Sequence, residues 1–158
     1  MDKRWILEHL TGARAQLLSA IEGLSHAEMT TVPVLDAWTL REVLAHIAGW
    51  AAWDLETIRD IQAGESPDLS VIRDVDAFNR RLLAERSEWS LDQILAEMKD
   101  ANAAMCDLLC SMSDQDVFDG GPFRGLYWDT LAEWLQVAWE HEEEHAIQMR
   151  EWREQWDG

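Results

Sequence analysis

Four long segments of the sequence repeat apolar residues at the spacing of an α-helix, and this periodicity restricts the fold more than any other feature. The first covers residues 3 to 23, the second residues 39 to 62, the third begins at Ser90, and the fourth covers residues 129 to 155. Apolar side chains three and four residues apart share one face of a helix, which must be buried against another element. No segment favours a β-strand. The pattern therefore predicts an all-α protein built as a four-helix bundle.

Two of the predicted helix starts carry a capping box, in which two side chains satisfy free backbone amides of the first turn. The pairs are Thr39 with Glu42 and Ser90 with Gln93. Between the second and third long helices the pattern predicts a shorter helix over residues 72 to 86, within a connection long enough to cross the bundle. Since neither a repeat nor a linker interrupts the chain, we expect residues 1–158 to form a single domain.

The charge balance and the cysteines restrict the location and the partners of the protein. The net charge is −18, whereas a protein that binds a phosphate backbone needs a basic surface, so we expect no nucleic acid partner. No apolar run approaches the about 18 residues that span a bilayer, and the first residues do not form a signal peptide. Cys106 and Cys110 lie four residues apart in a helical segment and are expected to be reduced. These features predict a cytoplasmic protein without a membrane partner.

Three of the five histidines face the interior of the predicted bundle. An α-helix turns 100° per residue, and Ala138 lies at the centre of the apolar stripe of the fourth helix. His145 falls about 20° and His141 about 60° from that centre. His46 falls about 100° from the centre of the stripe of the second helix, on a shoulder that faces a neighbouring helix. One inward histidine is usually a satisfied core residue, but two histidines one turn apart can direct two nitrogens at one ion.

The stretch around the last two histidines matches two metal motifs that the rest of the sequence does not complete. The H-E-x-x-H at residues 141–145 has the spacing of a zinc protease, but Gln148 stands where the longer form of that motif needs glycine. The E-x-x-H at residues 142–145 has the spacing of a di-iron bundle, which needs a second copy. Val43 stands where a glutamate would have to precede His46. Both interpretations are therefore disfavoured.

The interpretation that remains joins His46, His141 and His145 to one divalent transition metal. Three neutral imidazoles with an open coordination position form a catalytic kind of site. A metal at such a site lowers the pKa of a bound water and polarises a substrate oxygen or sulfur. Zn²⁺, Ni²⁺ and Fe²⁺ all accept imidazole ligands, so these residues do not select one of them.

Four other residues are candidates for the same site. Glu142 falls about 40° from the centre of its stripe and is a candidate fourth ligand, ligand-orienting group or general base, although a carboxylate that reaches solvent is the more common outcome. Trp50 and Trp53 lie near His46 and either form a wall of a substrate pocket or only pack. Asn102 lies on the apolar face of the third helix, where it needs a hydrogen-bond partner across the bundle or a place in the pocket.

These residues and their spacing resemble the DinB/YfiT-like superfamily of metal-dependent enzymes. The resemblance rests on the single histidine after a Trp-Thr helix start in WTLREVLAHIAGWAAWD (38–54), on DVDAFNRRLLAERSEWSLDQILAEM (74–98), and on the H-x3-H of WLQVAWEHEEEHAIQMREW (134–152). The Gly-Trp pair after His46 and the ending rich in Trp and Arg are similar to its DfsB/ClbS-like branch. The resemblance implies an up-down-down-up order of helices, frequent dimers, and a divalent metal held by the three histidines.

The family's characterised members are thiol-dependent S-transferases and isomerases, and hydrolytic resistance proteins that disarm reactive small molecules. The resemblance therefore implies an enzyme that acts on a small electrophilic molecule by hydrolysis or by thiol transfer, the latter with a low-molecular-weight thiol. One alternative is a non-enzymatic bundle that binds or sequesters a small molecule in the same pocket. Another is a bundle whose histidines only hold structure. A homodimer is expected from the resemblance and from the ten tryptophans.

Overall fold

Seven α-helices make up most of the computed structural model, which describes residues 1–156. Four are long: α1 (Lys3–Ile21), α3 (Leu40–Gln62), α5 (Leu91–Ser111) and α7 (Leu131–Gln155). Three are short: α2 (His26–Thr31), α4 (Val75–Glu85) and α6 (Asp114–Phe118). Single 3₁₀ turns cover Ser70–Arg73 and Gly121–Phe123. The predicted all-α class and four-helix bundle are confirmed, and α4 is the predicted short helix in the crossover.

Reciprocal caps fix where three of the long helices begin. At the start of α3 the Thr39 hydroxyl accepts a hydrogen bond from the amide of Glu42, and the Glu42 carboxylate accepts one from the amide of Thr39 at 2.7 Å. Equivalent boxes begin the next two long helices, with Ser90 and Gln93 at α5 and Thr130 and Glu133 at α7. Because the first turn sets the register of a helix, these caps determine which side chains of α3 and α7 face inward.

Two apolar clusters, one toward each end of the bundle, give the direction of each long helix. The first cluster joins the N-terminal parts of α1 and α7 to the C-terminal parts of α3 and α5, and includes Ile6, Leu131, Ile58 and Leu109. The second joins the opposite parts, and includes Leu17, Met149, Leu44 and Ile94. It follows that α1 runs parallel to α7, along which it packs, and that α3 and α5 pack together in the opposite direction. This is the up-down-down-up order.

The segment before α3 forms a short β-hairpin that the sequence analysis did not predict. Strand β1 (Pro33–Leu35) pairs antiparallel with β2 (Trp38–Thr39), and Asp36 turns the chain with a φ of +50°. The expectation that no segment is a strand was wrong here, because so short a run does not show the alternation that identifies a strand. The hairpin packs on α3 and α7 and places Trp38 beside α3.

Two ends of the long helices differ from their predicted positions by two residues, and the others agree within one residue where a position was predicted. The first helix ends at Ile21 instead of residue 23, because Gly23 has a φ of +79° and cannot continue a right-handed helix. The fourth begins at Leu131, with Thr130 as its N-cap, instead of at residue 129. Within residues 1–156, none of the helices combines the length and the apolar character needed to cross a membrane.

Candidate metal centre and its cavity

The three histidines predicted as metal ligands meet in the bundle. His46 comes from α3, and His141 and His145 come from successive turns of α7. The Nε2 atom of His141 lies 2.8 Å from Nε2 of His46 and 3.0 Å from Nε2 of His145. One ligand atom from each residue lies within 4.8 Å of the others. Because ligand nitrogens about 2.0–2.1 Å from one ion lie about 3 Å from each other, this group can hold a metal ion.

Gln148 fixes the orientation of one of the three imidazoles. Its Oε1 atom lies 2.8 Å from Nδ1 of His145, one turn back along α7. Since an amide oxygen only accepts, Nδ1 carries the hydrogen and Nε2 of His145 presents its lone pair to the other two rings. A partner on the outer nitrogen is usual for histidines that bind metals. Sequence reasoning did not assign this role to Gln148, although its position three residues after His145 was a usable signal.

The hydrogen bonds of the histidine cluster are incomplete. Nδ1 of His46 is buried and has no hydrogen-bond partner among residues 1–156. Nε2 of His141 contacts two other Nε2 atoms, and a single hydrogen can satisfy only one of these contacts. A buried polar group without a partner costs free energy. A cation shared by the three Nε2 lone pairs would resolve the contacts of His141 and leave the hydrogen of His46 on Nδ1, so the donor set at Nε2 fits a metal.

Burial keeps the imidazoles in the form that binds metals. It lowers the pKa of His46 to about 3 and the pKa of His141 to about 4, with the neighbouring imidazoles adding to the effect. Burial also lowers the pKa of His145, against the opposing hydrogen bond to Gln148 and nearby glutamates. All three rings are therefore neutral near pH 7, and only a neutral imidazole has a lone pair to give to an ion.

The histidines open onto a cavity of about 820 Å³ that lies between α3, α7, the β-hairpin and α4. Its walls contain apolar and aromatic side chains from each of these elements and from the loop before α7: Leu35, Trp38, Trp50, Ile72, Val75, Tyr127, Trp128, Trp134, Val137 and Ala138. Its polar lining comprises Asp54, Asn79, Glu140, Glu144, Gln148 and the three histidines. An apolar cavity with a few convergent polar groups is typical of a small-molecule site.

Asp54 is a buried carboxylate in this cavity that the sequence analysis did not identify. The indole nitrogen of Trp134 donates a hydrogen bond of 2.8 Å to its Oδ1 atom. Burial raises the pKa of Asp54 to about 7, the bond from Trp134 opposes that shift, and the charge of Glu142 adds to it. His46, Trp50 and Asp54 follow one another at intervals of four residues, which places them along one stripe of α3. That spacing was the signal available in the sequence.

Glu142 lies in a buried ion pair, and the expectation that its carboxylate reaches solvent was wrong. Arg14 of α1 donates from Nε to Oε2 at 2.9 Å and from Nη2 to Oε1 at 2.6 Å. The guanidinium also donates to the main-chain oxygen of Met98. Only 7% of the Arg14 side chain and 13% of the Glu142 side chain are exposed. Both carboxylate oxygens are engaged by Arg14, so Glu142 is turned toward α1 and α5, and the three-histidine cluster does not include it.

The three residues expected at a substrate pocket occupy different places. Trp50 lines the large cavity, and its indole nitrogen donates to Asn79 of α4 at 2.8 Å. Trp53 is not part of that lining and packs against Trp50, Phe78 and Trp134, with ring centroids 5.6 to 5.9 Å away. Asn102 is half-buried and lines a smaller cavity of about 40 Å³, together with the ion pair described above.

Comparison with protein families identifies the class to which this fold and site belong. The model of the DinB superfamily matches residues 9–149, which is most of the sequence. The chain therefore belongs to the DinB superfamily, and the resemblance seen in the sequence is confirmed. Comparison with curated proteins found no matching sequence.

Solved structures share the whole fold at low sequence identity. An uncharacterised protein from Escherichia coli UTI89 is 16% identical, with a TM-score of 0.84 over 98% of this chain and 94% of that one. DfsB, described as a sibling lethal factor precursor, is 18% identical, with a TM-score of 0.83 over 98% and 96% of the two chains. At these identities the likeness shows the fold alone.

A third structure bears on the expectation about nucleic acid. The colibactin self-resistance protein ClbS, solved in complex with a dsDNA, is 9% identical, with a TM-score of 0.84 over 96% of this chain and 95% of that one. That complex does not fit a general exclusion of nucleic acid for proteins of this fold. For this chain, the exclusion based on its net charge of −18 stays a prediction.

Proposed function

We propose that this protein is a metal-dependent enzyme that holds one divalent transition metal, Zn²⁺, Ni²⁺ or Fe²⁺, through His46, His141 and His145. The substrate class is a small electrophilic molecule, and the reaction is hydrolysis or transfer of a low-molecular-weight thiol. The observation that carries this proposal is the convergence of three neutral Nε2 atoms at the wall of a large apolar cavity. Three protein ligands leave a fourth coordination position open toward this cavity, as in a catalytic metal site. A structural site would fill that position with another protein group.

The residues of the chain prepare the centre for that chemistry. A bound divalent ion supplies Lewis-acid polarisation and makes a water or a thiol more acidic. Gln148 holds the His145 ring, and the ring of Trp38 packs 5.3 Å from that of His46 on the side of the hairpin. Trp50, held by Asn79, and Trp134, held by Asp54, form walls that position an apolar substrate. Orienting a substrate against a reactive centre is itself a large part of catalysis.

The first test is elemental analysis of untagged protein by mass spectrometry, with His46→Ala, His141→Ala and His145→Ala as variants. We expect about one equivalent of transition metal in the wild type and its loss in each variant. His9→Ala is the matched control, since His9 lies outside the cluster and its Nδ1 bonds to the main-chain oxygen of Trp5. Protein that stays metal-free after incubation with Zn²⁺, Ni²⁺ and Fe²⁺ contradicts the proposal.

The reaction type is tested separately, on protein that has been shown to hold metal. The protein is incubated with small epoxides and activated esters, with and without cysteine, and products are identified by mass spectrometry. Water adducts formed without thiol indicate hydrolysis, and adducts that need cysteine indicate thiol transfer. The same incubation with His141→Ala gives the background rate. Rates equal to this background with every electrophile count against both reactions.

A non-enzymatic binding or sequestering protein is the second candidate, and the cavity itself favours it. Walls rich in indoles bury an apolar ligand without any contribution from the histidines. Tight binding of a ligand that is recovered unchanged, by both metal-loaded and metal-free protein, supports this candidate over the enzyme.

We also propose that the chain forms one domain, acts as a homodimer in the cytoplasm and binds no nucleic acid. Both apolar clusters contain residues of all four long helices, which supports a single cooperative unit. Leu18 and Ile147 are exposed apolar side chains available to a second copy. Cys106 and Cys110 are free thiols, as in a reducing compartment. Light scattering tests the dimer, and fluorescence anisotropy with labelled dsDNA tests the absence of nucleic acid binding.

A further inference from the structure

The large cavity carries negative charge and has no cationic side chain in the part of the lining that the structure describes. Asp54, Glu140 and Glu144 line it together with five large aromatic side chains, and neither lysine nor arginine is among the lining residues. The whole chain carries a net charge of −18. An anionic ligand would therefore enter a negative cavity without a partner for its charge.

Asp54 is the part of this lining that points to a ligand. The residue is 8% exposed, and Trp134 is its hydrogen-bond donor among residues 1–156. That bond occupies Oδ1 and leaves Oδ2 free of protein donors. A carboxylate taken out of water without an opposite charge is costly. The raised pKa of Asp54 reflects that cost, since burial opposes ionisation.

Arg14, which lines an adjoining cavity, cannot supply the missing charge. Arg14 lines the smaller cavity that also touches Asp54, but both of its forked donors go to Glu142 and a third goes to the Met98 carbonyl. Glu142, in turn, adds negative potential at Asp54. The free oxygen of Asp54 is therefore left for a donor that arrives from outside the chain.

We propose that the large cavity binds a molecule with a protonated amine next to an apolar or aromatic body, with the ammonium group bonded to Asp54. Trp50 lines the same cavity four residues before Asp54, Trp134 bonds to Asp54 through its indole nitrogen, and indoles attract cations at their faces. The charge-assisted bond to Asp54 neutralises the buried carboxylate, and the remaining indoles of the cavity bury the body of the molecule.

The same placement orients the molecule against the histidines. Asp54 follows His46 by eight residues of α3, which corresponds to about 12 Å along the helix axis. A molecule anchored at Asp54 by its amine therefore presents a group roughly that far away to the three-histidine centre. This orientation rests on the proposed function, whereas the binding of the amine to Asp54 does not.

The test compares three ligands that share one apolar body and differ in charge. We use 4-phenylbutylamine, 4-phenylbutanol and 4-phenylbutanoate, titrated by calorimetry into protein freed of metal with a chelator. We expect the amine to bind about 10- to 100-fold more tightly than the alcohol, and the carboxylate not to bind. Equal affinities for amine and alcohol, or tighter binding of the carboxylate, overturn the proposal.

The variant Asp54→Asn tests whether the preference for the amine over the alcohol depends on the carboxylate of Asp54. An asparagine keeps an oxygen that accepts from Trp134 but carries no charge, so we expect the variant to lose the preference for the amine over the alcohol. Glu56→Gln is the matched control, since Glu56 is an exposed carboxylate two residues further along α3 that does not line the cavity. An amine preference that survives in Asp54→Asn overturns the proposal.

A spectroscopic measurement covers the case in which Asp54→Asn does not fold. In the wild type, the indole N–H proton of Trp134 is bonded to Asp54, so its NMR signal must shift when the amine binds, and shift less with the alcohol. An indole signal unmoved by a saturating amine overturns the proposal. Because all these measurements use metal-free protein, a failure of the metal proposal leaves them unaffected, and a failure of amine binding leaves the elemental analysis unaffected.

Discussion

His141 and Glu142 are neighbours on α7, yet they belong to polar clusters of opposite kinds. Glu142 is joined to Arg14 by two hydrogen bonds, and the guanidinium completes its bonding at the Met98 carbonyl. His141 contacts the Nε2 atoms of two other imidazoles through its own Nε2 atom, and a single hydrogen can satisfy only one of these contacts. The first cluster is satisfied by the protein alone. The second needs a group from outside, and this difference separates a structural ion pair from a candidate binding centre.

The largest loss of stability is expected when one partner of the ion pair between Arg14 and Glu142 is removed. Arg14→Met leaves the buried carboxylate of Glu142 without its counter-charge, and we expect a loss of about 3–5 kcal/mol in the free energy of unfolding. Urea denaturation followed by circular dichroism measures it. The double variant Arg14→Met/Glu142→Met should recover most of the loss, because no unpaired charge remains.

Arg4→Met is the control for that experiment. It breaks the exposed pair between Arg4 and Glu8, whose side chains are 85% and 60% exposed, and exposed pairs contribute little. If Arg14→Met costs no more than Arg4→Met, then the ion pair of Arg14 does not hold the bundle together.

Low pH tests the histidine cluster, because protonation of His46 and His141 lowers the stability of the folded protein. In the unfolded chain His46 and His141 take up protons near pH 6.5, but in the folded protein only near pH 3 and 4. Between pH 6.5 and these lower values the unfolded state binds more protons than the folded state. The contribution of the neutral histidines to the free energy of unfolding is therefore complete above pH 6.5 and is lost as the pH falls toward 4 and 3. We expect metal-free wild type to lose about 3 kcal/mol more stability between pH 6.5 and 5 than His46→Leu/His141→Leu. Parallel pH profiles of the two proteins would contradict this.

A metal ion should complete the second cluster and stabilise the fold. A ligand at 100 times its dissociation constant that binds only the folded state adds about 2.7 kcal/mol. We expect Zn²⁺ to raise the thermal midpoint of the wild type by the corresponding amount and to leave His141→Ala unchanged. A rise of equal size in His141→Ala would place the ion elsewhere on this acidic chain.

The smallest effect is expected at Gln148. Gln148→Ala removes the acceptor that orients His145, which should weaken metal binding by about tenfold, or about 1.4 kcal/mol. Competition with a chromophoric chelator measures the affinity. Gln136→Ala is the control, because Gln136 donates to the exposed Glu140 on the same helix. Equal affinities of the two variants would show that the His145 ring needs no support.

The features of this protein that depend on local spacing could be predicted from its sequence. Helical periodicity and the boxes at Thr39 and Ser90 predicted the long helices, since both signals operate within one or two turns. Angular position on a single helix was sufficient to turn His46, His141 and His145 inward. His141 and His145 lie on the apolar side of the fourth helix, and His46 lies on a shoulder that faces a neighbouring helix, so the sequence also indicated that the three could meet.

Long-range partners are what local spacing could not supply. Arg14 and Glu142 are 128 positions apart, and nothing in either helix alone indicates that the two side chains bond. Asp54 shares a stripe of α3 with His46 and Trp50, but its hydrogen-bond donor, Trp134, is 80 positions away. The β-hairpin is stabilised by packing on α3 and α7 more than by its own short pattern. Each of these depends on which surfaces the bundle brings together.

The up-down-down-up order has a consequence for how the chain folds. Of the four long helices, α1 comes first in the chain and packs along α7, which comes fourth. During synthesis the apolar face of α1 that α7 covers therefore stays exposed until residues 131–155 have emerged. Helices α3 and α5 can pair before that. Contacts between distant parts of a chain form slowly, and exposed apolar surface invites aggregation in the meantime. Helix α7 also carries two of the three histidines, so the centre cannot assemble before the whole bundle has closed.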